Sequence, residues 1–375
     1  MLLGPRALGR GVRQGLLAAV LCSAHSAPAA TRATPPNVLL QRARAPSDIL
    51  RVCRDHANFI APRPLAESLY RIAGGLKQPS QAEERAAIAS GPDMMAVVSH
   101  LTRVDASAAT SIVMLRALAM LGWRADAGEA HGVLELLASR ACAIVDELSL
   151  PDVSALDWAA RKLALPLPAS IEPRLAALPF CVYSAPLPFK LEYADLEAEL
   201  RPHLNRELIL LRDSQGERLV PEARFTGWWS LADVPFKYSG KEMDPTIPNG
   251  GLLGRVRDSL FQLSGVSYDS CLINLYEHGK AGMRYHSDPD QGTLWSRDTH
   301  VVSFGCTRAF ILRTAGEGGE GGEGMHYEYV LDHGDVVHMF GPCQQEYQHA
   351  VRVEKDESDA GPRISLVFKQ SLAAR

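Results

Sequence analysis

Tyr285-His286-Ser287-Asp288 is the stretch on which the reading of the chain turns. In an extended segment, residues two apart point to the same side. His286 and Asp288 then face one pocket while Ser287 faces away. A histidine from a later strand, His349, would bring two imidazoles and one carboxylate to one face of a metal. That donor set holds non-haem Fe(II) and leaves coordination positions open. The reading requires a β scaffold around these residues.

The flanking sequence supplies one. Ser270–Tyr276, His300–Cys306, Arg308–Arg313, Met325–Leu331, Asp335–Phe340 and Arg363–Lys369 are short runs, most of them rich in Val, Ile, Phe and Tyr, and several are bounded by Gly, Pro or Asp. Such a series predicts a β-sandwich or jelly roll. Between two of the runs, the Glu-Gly-Gly repeat from Glu317 to Gly324 reads as a mobile loop and not as a ligand set. Alternation puts Asn274 and Tyr276 on one face, and Arg363, Ser365, Val367 and Lys369 on one face of the last strand. Two cations inside a barrel need anionic partners, and the sequence offers no obvious pair of buried carboxylates for them. A dianionic ligand such as 2-oxoglutarate would meet the need, with the planar fork of Arg363 suited to a bidentate grip. The other histidines of this half, His278, His300, His326, His333 and His338, read as surface or hydrogen-bonded side chains.

Upstream the composition changes. The chain has 375 residues, 46% of them apolar, and a net charge of −4, so it reads as globular without a global basic field. No apolar run is long enough for a membrane span. Seven scattered cysteines without a C-x-x-C pair argue against a disulfide framework or a zinc knuckle, and for a reducing compartment. The first acidic residue is Asp48, and six arginines precede it. An Arg-rich, acid-poor start predicts an organellar targeting segment over residues 1–36, for mitochondrion or plastid. A nuclear or cytoplasmic protein with a disordered tail is the alternative. Residues 37–165 show leucine and alanine at helical spacing. Leu115–Leu121 falls in register with Asp157–Leu163, and Leu69–Ala73 reads as an earlier copy. A period near 40 residues fits paired-helix repeats, and an ordinary helical bundle fits the same pattern. The prolines between residues 166 and 188 predict a linker, after which an oxygenase domain would span 189–372. One helical pattern, Asp195 to Leu204, opens that domain. The expected class is α+β: a C-terminal double-stranded β-helix preceded by an all-α, repeat-like domain.

The motifs together resemble the AlkB family of Fe(II)/2-oxoglutarate dioxygenases. The resemblance rests on Asn274-Leu275-Tyr276, His286-Ser287-Asp288, Gly334-Asp335, His349, and Arg363-Ile364-Ser365-Leu366-Val367-Phe368-Lys369, in that order. It runs from about Pro186 to Gln370, and Val220–Trp229 with Tyr238-Ser239-Gly240 resembles the family's lid segment. The resemblance implies Fe(II) on His286, Asp288 and His349, and 2-oxoglutarate held by Arg363 and Lys369 with Asn274 and Tyr276 in support. It also implies a base contacted by Trp228, Trp229, Tyr238 and Asp290. The implied activity is demethylation of an N-alkylated base in single-stranded RNA or DNA by a monomer, consuming O2 and releasing succinate, CO2 and formaldehyde. Three positions depart from the pattern: Lys369 stands where the family has a second arginine, Val367 where it often has a small hydroxyl residue, and Pro221 is spread apart from Arg224. The helical half loosely resembles the degenerate repeats of organellar RNA-binding proteins. An oxygenase acting on protein or a small molecule, and a non-catalytic RNA-binding protein, are the alternative readings.

Overall fold

A computed structural model of the chain describes residues 34–126, 130–213, 216–315 and 324–372. The expected targeting segment up to residue 33, and the Glu-Gly-Gly loop apart from Gly324, lie outside these residues.

Among the described residues eight helices come first: α1 (Pro36–Arg42), α2 (Pro46–His56), α3 (Pro62–Gly75), α4 (Ala82–Ser90), α5 (Pro92–Arg103), α6 (Ala108–Met120), α7 (Ala130–Cys142) and α8 (Leu150–Leu163). Proline sits in the first turn of α2, α3, α5 and α8, where its missing N–H has no intrahelical partner to lose. The 42-residue correspondence falls on α6 and α8. Their N-caps, Ser107 and Ser149, accept from the backbone N–H of Thr110 and Asp152 respectively. Each such cap contributes about 1 kcal/mol. α6 packs against α3, α7 and α8.

The strands are β1 (Phe180–Tyr183), β2 (Leu208–Asp213), β3 (Gly216–Pro221), β4 (Phe225–Ser230), β5 (Phe236–Tyr238), β6 (Lys241–Met243), β7 (Ser270–Tyr276), β8 (Met283–His286), β9 (Thr299–Gly305), β10 (Arg308–Thr314), β11 (His326–Leu331), β12 (Val336–Met339), β13 (Tyr347–Val351) and β14 (Arg363–Lys369). All six expected runs are strands, with no end shifting by more than one residue. A six-stranded sheet runs β1-β12-β9-β14-β7-β4, and a four-stranded sheet runs β11-β10-β13-β8, every pairing antiparallel. β7 and β14 are buried at every residue because both their faces are covered. On one side, Ile273, Leu275, Ile364, Leu366 and Phe368 join a core with α10 (Tyr193–Leu200) and α11 (Gly251–Ser264). On the other, Asn274, Tyr276, Ser365 and Val367 face a cavity between the two sheets.

Residues 166–188 are no linker. They hold α9 (Glu172–Leu175) and β1, which forms one edge of the six-stranded sheet by pairing Phe180 with Met339. The prolines are tolerated because Pro173 lies in the first turn of α9 and Pro179 precedes the strand. The expected helical and oxygenase domains also fall within one compact unit, Pro36–Arg375. One apolar core continues from Leu65, Leu115 and Leu156 of the helices to Phe180, Tyr327 and Tyr329 of the strands. Polar ties reinforce it. Lys162 Nζ donates to Asp332 Oδ2 at 2.7 Å and to Asp335 Oδ2 at 2.6 Å. Arg116 Nη2 donates to the Glu328 carbonyl at 3.2 Å, and the Ser154 and Tyr329 hydroxyls bond each other. No helix among the described residues is long and apolar enough to cross a membrane.

Candidate active site

Strand register brings the two histidines together. His286 at the end of β8 lies directly opposite His349 on β13, with ring centres 4.2 Å apart. The chain beyond β8 carries Asp288 to the same side, as the alternation requires. Asp288 Oδ1 lies 3.7 Å from Nε2 of each histidine. One ligand atom from each of the three residues lies within 4.8 Å of the others, the only such cluster among the described residues.

Each ligand is oriented from behind. His286 Nδ1 lies 2.9 Å from the Arg284 carbonyl, which places the proton on Nδ1 and leaves the Nε2 lone pair inward. Phe310 stacks on the His349 ring at 5.5 Å. Burial, with His286 close by, pushes His349 down to about 3, and burial also lowers His286, so both imidazoles are neutral. Burial alone would raise the Asp288 carboxyl, but Lys369 foremost and then the imidazoles hold it well below the usual carboxylate range. Lys369 Nζ donates to Asp288 Oδ2 at 2.7 Å. With the Gln291 amide oxygen turned toward it, the same ammonium donates there at 2.8 Å. Gln344 Oε1 accepts from the Asp288 backbone N–H at 2.9 Å.

Lys369 therefore differs from its expected place on the cosubstrate. The structure supplies the buried carboxylate that the sequence does not reveal, and it is Asp288 of the His-Asp-His cluster. Arg363, at the other end of β14, has no such partner. It is fully buried, and Nη2 donates to Ser303 Oγ at 2.8 Å, while Nε and Nη1 have no partner. Its guanidinium carbon lies 5.3 Å from the centre of the Tyr276 ring. Burial lowers it to about 10, so it is still a cation at neutral pH. An unmatched buried guanidinium with two idle nitrogens is costly unless an anion completes it.

The donor set fits Fe(II), being two neutral imidazoles and one carboxylate with other positions open. The unpartnered nitrogens of Arg363 fit the distal carboxylate of 2-oxoglutarate, and Asn274 and Tyr276 line the cavity of the triad from β7.

The expected base contacts fare unevenly. Trp228 and Trp229 are 0% and 1% exposed and point into opposite cores, as neighbours on a strand must. Trp228 stacks on Phe236 at 4.7 Å and donates from Nε1 to the Val234 carbonyl. Trp229 donates to Asn249 Oδ1 at 2.9 Å. Neither lines the cavity. Asp290 is exposed, with φ +57°, and its carbonyl accepts from Thr293, Leu294 and Trp295. Its role is a turn, and the cavity wall stops at Pro289. Tyr238 does line the cavity, with its hydroxyl donating to Glu222 Oε1 at 2.5 Å.

Sequence reading missed Glu222, Lys241 and Ser303 as supports, and Arg224 as a wall of the cavity. Arg224 is buried and donates from Nε to Asn274 Oδ1 at 2.7 Å. Its signal in the sequence was a cation two residues from a carboxylate in an otherwise apolar strand approach.

Comparison with known proteins agrees with this geometry. The profile of the 2OG-Fe(II) oxygenase superfamily matches residues 232–369. An uncharacterized protein of Acanthamoeba polyphaga mimivirus, R406, is 35% identical over 182 residues, covering 48% of this chain and 86% of the viral protein. Human alpha-ketoglutarate-dependent dioxygenase alkB homolog 3 is 30% identical over 40% of this chain, and bovine DNA oxidative demethylase ALKBH2 is 29% identical over 37% of it. The chain spans about half the length of these two named relatives, 51% and 50%.

Proposed function

Because this chain belongs to the 2OG-Fe(II) oxygenase superfamily, as an AlkB-like dioxygenase in its C-terminal half, we propose that it oxidatively removes alkyl groups from the bases of nucleic acid. The observation that carries the cosubstrate half of the reading is Arg363, a fully buried cation with two unpartnered guanidinium nitrogens on β14, the strand whose Ser365 and Val367 line the cavity that holds the triad. The substrate half rests on the named relatives, one of which is a DNA oxidative demethylase.

Iron(II) with 2-oxoglutarate and O2 would supply the oxidising power, decarboxylating the cosubstrate to succinate and CO2 and placing one oxygen atom on the alkyl carbon. The hydroxymethyl base then breaks its N–C bond, restoring N–H and releasing formaldehyde. The protein's own contributions are positional. His286, Asp288 and His349 would hold the metal on one face. Lys369 and Gln344 hold the Asp288 carboxylate and its backbone in place. Arg363 anchors the far end of the cosubstrate, and Leu272, Val301, Phe310 and Val367 keep the cavity apolar, which limits water. A single unpaired base, flipped out of its strand, is the form that reaches such a buried site.

The test uses the full chain with Fe(II) and 2-oxoglutarate, and methylated or unmodified single-stranded RNA and DNA. Succinate and formaldehyde should both rise with a methylated polymer and vanish in His286→Ala. Succinate release indifferent to every methylated polymer would move the substrate to a protein or small molecule. Absence of turnover with iron bound would overturn the enzymatic reading of the site.

A further inference from the structure

The support of Arg363 leads back to the helices. Its guanidinium donates from Nη2 to Ser303 Oγ at 2.8 Å. Ser303 is held in turn through both of its backbone groups by the turn that precedes β12. Its N–H donates to the Asp335 carbonyl at 2.9 Å, and its carbonyl accepts from the Gly334 N–H at 2.7 Å. The turn puts Gly334 at φ +88° and is closed by the Asp335 carboxylate. Oδ2 accepts from the Asp332 N–H at 2.8 Å, and Oδ1 accepts from the Ala185 N–H at 3.1 Å. Asp335 is 1% exposed, so its charge calls for a cation. That cation is Lys162, near the end of α8, with Nζ at 2.6 Å. The same ammonium reaches Asp332 Oδ2 at 2.7 Å, while Asp332 Oδ1 accepts from Thr307 Oγ1 at 2.8 Å. A second residue of the helical half lands on this place, since Gln78 Nε2 donates to the Thr307 carbonyl at 3.0 Å.

The route runs from Lys162 to Asp335, through the Ser303 backbone to its hydroxyl, and so to Arg363. Networks of this kind stiffen their members, because each group left unpaired in a low dielectric is costly. Stiffness matters at Arg363, since a bidentate grip needs the planar fork in one orientation. A bland role for Lys162 is to fasten the helices to the strands, as Arg116 does through the Glu328 carbonyl. The Arg116 tie ends on β11, whereas the Lys162 tie continues to Arg363. We propose that Lys162 is a positioning residue for the cosubstrate anion: through Asp335 and Ser303, the helical half holds the Arg363 fork in place for the distal carboxylate. The inference rests on the reading of Arg363 as the grip on 2-oxoglutarate. The metal end of β14 has separate supports in Lys369, Gln344 and the Arg284 carbonyl.

The experiment titrates 2-oxoglutarate into the Mn(II)-loaded full chain by calorimetry, after the Mn(II) affinity has been measured. Lys162→Met should weaken 2-oxoglutarate binding by roughly 3- to 30-fold and leave Mn(II) affinity unchanged. In a Ser303→Ala background, where the last link is already cut, the same substitution should add little. Asp332→Asn, at a half-exposed residue, is the gentler variant. It should give a smaller shift in the same direction, again absent once Ser303 is alanine, and it decides the matter alone if Lys162→Met does not fold. Arg116→Met, which cuts the other tie, should lower the Tm and leave 2-oxoglutarate affinity as in wild type. Unchanged 2-oxoglutarate affinity in the Lys162 variant overturns the inference. So do losses that add to that of Ser303→Ala, or that Arg116→Met reproduces, since both belong to a merely structural lysine. A wild type that binds Mn(II) and not 2-oxoglutarate overturns the reading of Arg363 itself, and the inference with it.

Discussion

The two ends of β14 carry buried cations that share a strand and a face and differ in one respect. Lys369 has a carboxylate from its own chain at 2.7 Å, and Arg363 has two guanidinium nitrogens with no acceptor. A buried charge needs a partner wherever it lies. Where the chain provides the partner, the pair fixes internal geometry, here the carboxylate of the candidate metal cluster. Where it does not, the unmatched charge marks the place of an anion from outside.

This contrast can be broken most sharply at Arg363. Arg363→Met should raise the KM for 2-oxoglutarate by about 3–5 kcal/mol of lost binding, roughly 10²- to 10⁴-fold. The ligand-free protein should lose little stability, because no ion pair is broken and the hydrogen bond lost to Ser303 is offset by removing an unmatched buried charge. Thermal unfolding with and without 2-oxoglutarate checks both halves, and a large fall in the ligand-free Tm would make Arg363 a structural residue. Lys369→Met should do the reverse. It leaves Asp288 without its ion pair, which costs about 3–5 kcal/mol in stability, and it weakens metal binding by roughly 10- to 100-fold. Titration with Mn(II) or Co(II) reads the second effect without turnover, and unchanged affinity would show that the ammonium does not position the carboxylate.

A third buried titratable group extends the comparison to a site with no ligand role. His300 on β9 stacks on His338 at 4.0 Å, bonds the Tyr268 hydroxyl through Nδ1, and has no partner for Nε2. Burial, with His338 beside it, pushes His300 down to about 3, and burial lowers His338 as well. A histidine with a depressed folded pKa binds its proton only in the unfolded chain between the two values, so stability is lost as pH falls below about 6.5. For His300 that loss should reach about 2 kcal/mol at pH 5. Denaturant unfolding of the metal-free protein at pH 7 and pH 5 measures it, and His300→Phe should flatten the slope. The smallest effect belongs to Lys369→Arg, which keeps the charge opposite Asp288 and should stay within about 1.5 kcal/mol of wild type in stability.

What could be read from the sequence was local. His286 and Asp288 share a face because alternation is a property of neighbouring residues, and the Val/Ile/Phe runs at 270–276 and 363–369 are strands for the same reason. What needed the fold was long-range. Nothing near Lys369 in sequence announces Asp288, 81 residues away, as its partner. Trp228 and Trp229 look like a handle for a base because adjacent tryptophans are conspicuous. In a strand covered on both faces, adjacency instead sends each ring to a different core. The prolines of 166–188 hid β1, because proline content describes where N–H groups are absent and says nothing of which strand edge awaits a partner.

The pairing of β1 with β12 has a consequence for how the chain is made. Phe180 meets Met339 and Tyr183 meets Val336, so this edge stays open until roughly 150 further residues have been synthesised. At about 5–20 residues per second, the helices and β1 wait on the order of ten seconds or more before the sheet can close over them. During that interval the apolar residues of the helices that share a core with Phe180, Tyr327 and Tyr329 lack the later strands that bury them. Cutting the gene at the proline-rich segment would deprive both fragments: one loses its closing strands, and the other loses β1 and the lysine that holds Asp335.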